Sequence, residues 1–183
     1  IDHMDVSWVD NGDIKVDVYT NFGDYNNRSS YGGNGKKIVF GDLLISTGGD
    51  ANVFDYAFKL TDGRFGDYYG SGYSEHNGNL VEISSTTTAA QYHGGSVNHD
   101  GQVFGNTSKV ENSGTWSLST QNTGANRDNY DKITFNFNVD GITGFQSASQ
   151  LAFSWAMSCA NDVIHDVVSV NRPSTIPEPA TMM

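Results

Sequence analysis

Cysteine occurs once, at Cys159, so the chain can form no intramolecular disulfide and no thiolate zinc cluster. Proline occurs three times and glutamate only at 75, 82, 111 and 178, while leucine is scarce, which is a poor composition for a helical bundle. No apolar run reaches the roughly 18 residues of a membrane-crossing helix, so no membrane span is expected in this chain. Basic residues are also few. Ten stand against 21 acidic ones, and the formal charge of −11 repels phosphate backbones and anionic lipid, so no nucleic acid partner is expected. Ile1-Asp2-His3-Met4 carries neither the basic start nor the apolar stretch of a signal peptide. There is no Gly-x-Ser-x-Gly elbow, no His-Glu-x-x-His helix, no EF-hand loop and no internal repeat at a fixed spacing.

What is present fits one β domain. The 183 residues are 37% hydrophobic and 12% aromatic, enough for one core, and 21 glycines stand among abundant Ser, Thr, Asn and Asp. Period-two alternation appears at Val6 and Trp8 and again at Ile14, Val16 and Val18, with the turn signal Asp10-Asn11-Gly12-Asp13 between them. Further strands are expected over Lys37 to Ser46, Val53 to Thr61, Leu80 to Ser84, Thr115 to Thr120, Lys132 to Asp140, Leu151 to Ser158 and Val163 to Val170. In the second of these, Phe54, Tyr56, Phe58 and Leu60 point to one side. Ser85 to Tyr92 and Thr143 to Gln150 each have room for one short helix. The fold expected is an all-β, antiparallel β-sandwich of jelly-roll type, with about nine strands and long polar loops, spanning residues 1–170. Residues 171–183 contain all three prolines and read as a linker.

Asp and Asn cluster at predicted strand ends. Calcium takes roughly six to eight oxygen ligands, and such loops supply them, so Asp24, Asn26, Asp50, Asn52 and Asp162 are candidate ligands of a structural Ca2+. The ordinary use of the same residues is to close solvated Asx turns. Gly63 to Gly78 is rich in glycine and carries Phe65, Tyr68, Tyr69 and Tyr73, flat amphipathic rings that stack on sugar faces, bury at a protein interface, or cover the sandwich edge.

His93, His99 and Asp100 include zinc-ligating residue types, but their spacing matches no metal motif, and a solvated polar loop is expected there. Glu75 and Glu82 are carboxylates that an acid and base pair for glycoside cleavage could use. Cys159 is expected as a small buried hydrophobe, with an intermolecular disulfide as the sharper alternative. Asn27 and Asn106 head formal glycosylation sequons.

The tail Ile176-Pro177-Glu178-Pro179-Ala180-Thr181 resembles the opening of the sorting signal of the bacterial PEP-CTERM surface proteins, in which the motif continues into an apolar helix and a basic tail. Those two parts do not follow in this sequence. The resemblance, carried by Pro177, Glu178 and Pro179, implies export to the cell surface or extracellular matrix of a Gram-negative, exopolysaccharide-producing bacterium, with an exosortase-type enzyme as processing partner. Asp17 to Asn21, Gly41 to Ser46 and the phrase around Trp155, Cys159, Asn161 and Asp162 are also similar to small members of that family of unassigned function. Two functions are expected from these features. One is a non-enzymatic structural protein of the surface or matrix, self-assembling as a homo-oligomer or fibre; the other is a carbohydrate-binding module that retains the protein in exopolysaccharide.

Overall fold

The alternation of Ile14, Val16 and Val18 with Lys15, Asp17 and Tyr19 decides which way the second strand faces. The three aliphatic side chains are at most 1% exposed, and the polar ones lie on the opposite side. This computed structural model describes residues 1–9, 12–20, 39–60, 78–95, 99–119 and 131–170. Its strands are β1 (His3–Val9), β2 (Asp13–Thr20), β3 (Leu43–Ser46), β4 (Tyr56–Phe58), β5 (Asn79–Thr88), β6 (Gln102–Ser119), β7 (Asp131–Asn138), β8 (Gln150–Ala156) and β9 (Val163–Ser169). Two short helices, α1 (Ala89–Tyr92) and α2 (Thr143–Ser147), interrupt them.

The nine strands form one antiparallel sheet in the order β1-β2-β7-β6-β5-β4-β3-β8-β9, and the end strands β1 and β9 contact each other. The all-β, antiparallel fold is therefore the one expected, with the sheet folded over until it nearly closes. The long strand β6 makes the fold: its first two thirds pair with β5 and its last third, from Gly114 on, with β7. Inside lies a core that includes Ile14, Val16, Val18, Phe58, Leu80, Ile133, Phe135, Phe137, Phe153 and Trp155. Phe58 meets Phe135 edge-on at 5.7 Å.

In the half containing β3, β4, β5 and β8, the strands β3 and β4 and most of β8 are buried on both faces, as is the start of β5 at Leu80 and Val81. Leu44, Ala57, Val81 and Ile83 form a second cluster on the side away from the main core, so β3, β4 and most of β8 read as unbroken buried runs. Phe54 packs on that second cluster, not beside Tyr56, Phe58 and Leu60 as the alternation suggested, because it precedes β4 and the strand phase does not extend to it.

Several expected boundaries also change. The Lys37 to Ser46 strand is confined to its last four residues among the described ones, because Gly41 and Asp42 donate instead to Ala156 and Val103. The Val53 to Thr61 strand shortens to three residues. β5 runs on through Thr88, leaving the expected helix only Ala89–Tyr92, started by a capping box between Thr88 and Gln91. The second helix ends at Ser147.

Candidate functional site

On β1, β2, β7 and β6 the side chains facing away from the core line up across the strands. His3, Tyr19, Lys132 and Ser119 stand in one row, Asp5, Asp17, Thr134 and Ser117 in the next, and Ser7, Lys15, Asn136 and Thr115 in a third. This face is polar throughout, because every second residue of these strands has gone to the core. His3 stacks on Tyr19 with ring centroids 4.0 Å apart, and the Lys132 ammonium lies 6.0 Å from the same tyrosine ring.

Asp17 is the electrostatic centre of the face. Its carboxylate accepts hydrogen bonds from Lys15 Nζ at 2.7 Å and Thr134 Oγ1 at 2.5 Å, with Lys132 Nζ at 3.8 Å. Burial pushes its pKa up, but the Lys15 and Thr134 hydrogen bonds and the two lysine charges outweigh that and hold the carboxyl below the ordinary range. The same contact raises Lys15.

Beside this cluster the face opens into a cleft of about 380 Å³ whose lining includes Asp13, Lys15, Ser113, Thr115, Asn136 and Asn138. Its floor is the strand backbone around Ile14, Phe137 and Gly114, which are paired across β2, β7 and β6. Ser113, Thr115 and Asn136 are exposed. Asn138 Nδ2 donates to Asp13 Oδ1 at 2.7 Å, and Asn138 Oδ1 accepts from Asp140 N at 2.9 Å, which fixes that wall. Hydroxyls, an amide, an ammonium and a carboxylate around one shallow cleft offer both donors and acceptors to a polyhydroxylated ligand.

Of the residues singled out from the sequence, the described ones fall elsewhere. Asp50 Oδ1 accepts from both the backbone and the side chain of Asn52, at 2.9 and 3.2 Å, which is an Asx turn. Asp162 accepts from the Ile1 amino group. Among the described residues no three His, Cys, Asp or Glu side chains converge as metal ligands would. Asp24, Asn26, Phe65, Tyr68, Tyr69, Tyr73, Glu75 and the motif Pro177, Glu178 and Pro179 lie outside the described residues.

His93 corrects the expectation of a solvated loop. It is fully buried, at the end of α1, with Nε2 3.3 Å from Ser158 Oγ, whereas His99 and Asp100 are exposed. The helix draws His93 inward because its backbone N–H caps Ala89 and its ring packs edge-on to buried Tyr92 at 4.7 Å. A serine beside a histidine is the geometry of an activated nucleophile, but here Ser158 is also 0% exposed and its hydroxyl accepts from Val39 N. Cys159 is buried and free, in keeping with a small hydrophobe. Glu82 is exposed on β5, and Asn106 bonds Ser85 Oγ from β6.

Sequence reasoning missed two constellations. The cleft was hidden because Lys15, Asn136 and Thr115 come from three separated segments and gain meaning only through strand register. The second is a buried ion pair, Lys59 with Asp42, on the covered side of the β3–β4 half-sheet; its one signal was a lysine inside an apolar run, Ala57-Phe58-Lys59-Leu60. No protein-family model matches the chain, and neither a curated protein nor a solved structure shows similarity to it.

Proposed function

We propose that this chain is an exported, non-catalytic protein of the bacterial surface or extracellular matrix, which holds exopolysaccharide on the polar face of β1, β2, β7 and β6. The observation that carries this reading is the cleft between Lys15, Asn136, Thr115, Ser113, Asp13 and Asn138. Its groups sit on paired strands, so little conformational entropy is lost when a chain of sugars lies across them. The export half rests on the resemblance of residues 176–181 to a sorting signal and implies an exosortase-type partner.

A structural calcium held by loop oxygens, with Asp50, Asn52 and Asp162 among the ligands, belongs to the same reading. The tyrosines at 68, 69 and 73 would add stacking surface to it. Self-association is a second reading, favoured by the two end strands β1 and β9, which among the described residues form no ladder with each other and so offer edge groups to a neighbouring copy.

Affinity electrophoresis through gels containing exopolysaccharide tests the principal reading. Retardation of the full chain, lost in Asn136→Ala and Thr115→Ala, is expected. Equal mobility with and without polymer would remove it.

A further inference from the structure

The Asp42 and Lys59 side chains are 0% and 2% exposed, yet one is a carboxylate and the other an amine. Lys59 Nζ lies 2.5 Å from Asp42 Oδ2 and also donates to the Gly105 carbonyl oxygen at 2.8 Å. Asp42 in turn accepts from Leu60 N on Oδ1 at 3.1 Å and from Gly105 N on Oδ2 at 3.0 Å. Gly105 itself is packed so tightly that a Cβ there would fall 2.6 Å from Ile83 and 2.8 Å from Ala57, and Gly41 beside Asp42 would place one 2.5 Å from the Ala156 oxygen. The amine and the carboxyl are therefore held together by backbone on several sides.

We infer that Lys59 and Asp42 condense to an intramolecular isopeptide bond. Three features favour it. Fixed neighbours react as if at very high concentration, since their translational entropy is already lost. The reaction begins with transfer of a proton from the ammonium to Oδ2, and a dry site, which disfavours separated charges, lowers the cost of that step. The Leu60 N–H is aimed at Oδ1, where negative charge develops as nitrogen adds to Cγ.

In that step the nitrogen lone pair forms the Nζ–Cγ bond. A second proton moves from nitrogen to the Oδ2 hydroxyl, and the Cγ–Oδ2 bond breaks with its electrons leaving on water. The third proton stays on the new amide nitrogen, bonded to the Gly105 oxygen. No oxidant, metal or co-substrate enters the balance. The product ties the segment before β3 to the end of β4, a covalent closure in a chain whose single cysteine can make none within itself. This inference does not depend on what the polar face binds.

Mass spectrometry of the denatured full chain tests it. The expected result is a mass one water below that of the sequence, a branched peptide joining residues 42 and 59, and no tryptic cleavage after residue 59. Lys59→Arg and Asp42→Ala should return to their full sequence masses. A wild-type chain at full mass, even after long incubation, overturns the inference. So does a one-water deficit that persists in Lys59→Arg, because succinimides at Asp62-Gly63, Asp100-Gly101 or Asp140-Gly141 lose the same water.

Discussion

Gly114 is where β6 leaves β5 and joins β7, and its replacement by alanine tests whether that junction is as tight as the geometry says. A Cβ at this position would lie 2.4 Å from the Asn136 backbone oxygen, 2.6 Å from Phe58 Cε2 and 3.0 Å from Phe137 Cβ. The first of these contacts belongs to the paired neighbour strand and has no rotamer to escape into. Overpacking of this kind costs about 1–3 kcal/mol, and a fixed backbone obstacle puts Gly114→Ala in the upper part, about 2–3 kcal/mol. Reduced freedom of the unfolded chain returns only about 0.4–1 kcal/mol where the site tolerates a side chain. For a domain of this size the net loss is a fall in Tm of about 2–10 °C.

Gly48→Ala is the control, since its nearest neighbour is Ser46 Oγ at 3.9 Å, and it should melt at or slightly above the wild-type temperature. Calorimetry on both variants gives the answer. If Gly114→Ala melts no lower than Gly48→Ala, the β6 crossover is placed wrongly.

Two pH windows should be separable by denaturant titration. Partial desolvation of its ring holds His165 below its ordinary value of 6.5, although the residue as a whole is exposed on β9, so the unfolded chain takes up its proton first. Stability then falls as pH drops through 6.5 toward the folded value, and His165→Gln should flatten that part of the profile. Asp17 acts lower: its folded pKa lies below 3.8, so its stabilisation is complete above that pH and is lost as pH falls through the folded value. Asp17→Asn should weaken the acid limb and leave the histidine limb intact. Millimolar calcium should raise the melting temperature if the loop oxygens bind it in the folded state alone, and an unchanged Tm would remove the metal from the account.

The strands whose alternation survives folding were legible. Ile14, Val16 and Val18, and Ile133, Phe135, Phe137 and Val139, declared their faces because one side meets the core and the other meets water. β6 did not. Its stretch Asn106-Thr107-Ser108-Lys109-Val110-Glu111-Asn112-Ser113 pairs with β5 through repeated register shifts, so no simple period marks it, and only Thr115 to Thr120 looked like a strand. β3 and β4 were overextended for a different reason: burial on both faces replaces alternation with a plain apolar run, which gives no end point. The Asp42 and Lys59 pair was illegible because sequence separation says nothing of the close backbone approach that Gly41 and Gly105 permit. His93 was misplaced because a four-residue helix turned it inward.

The polar face of β1, β2, β7 and β6 is proposed as a binding surface. Backbone and side-chain NMR of the full chain, titrated with purified exopolysaccharide, tests it most directly. Shifts concentrated at Lys15, Thr115, Asn136 and Asn138 are expected, with the polymer recovered at its original length. Shifts confined to other faces, none at all, or new reducing ends in the polymer would contradict it.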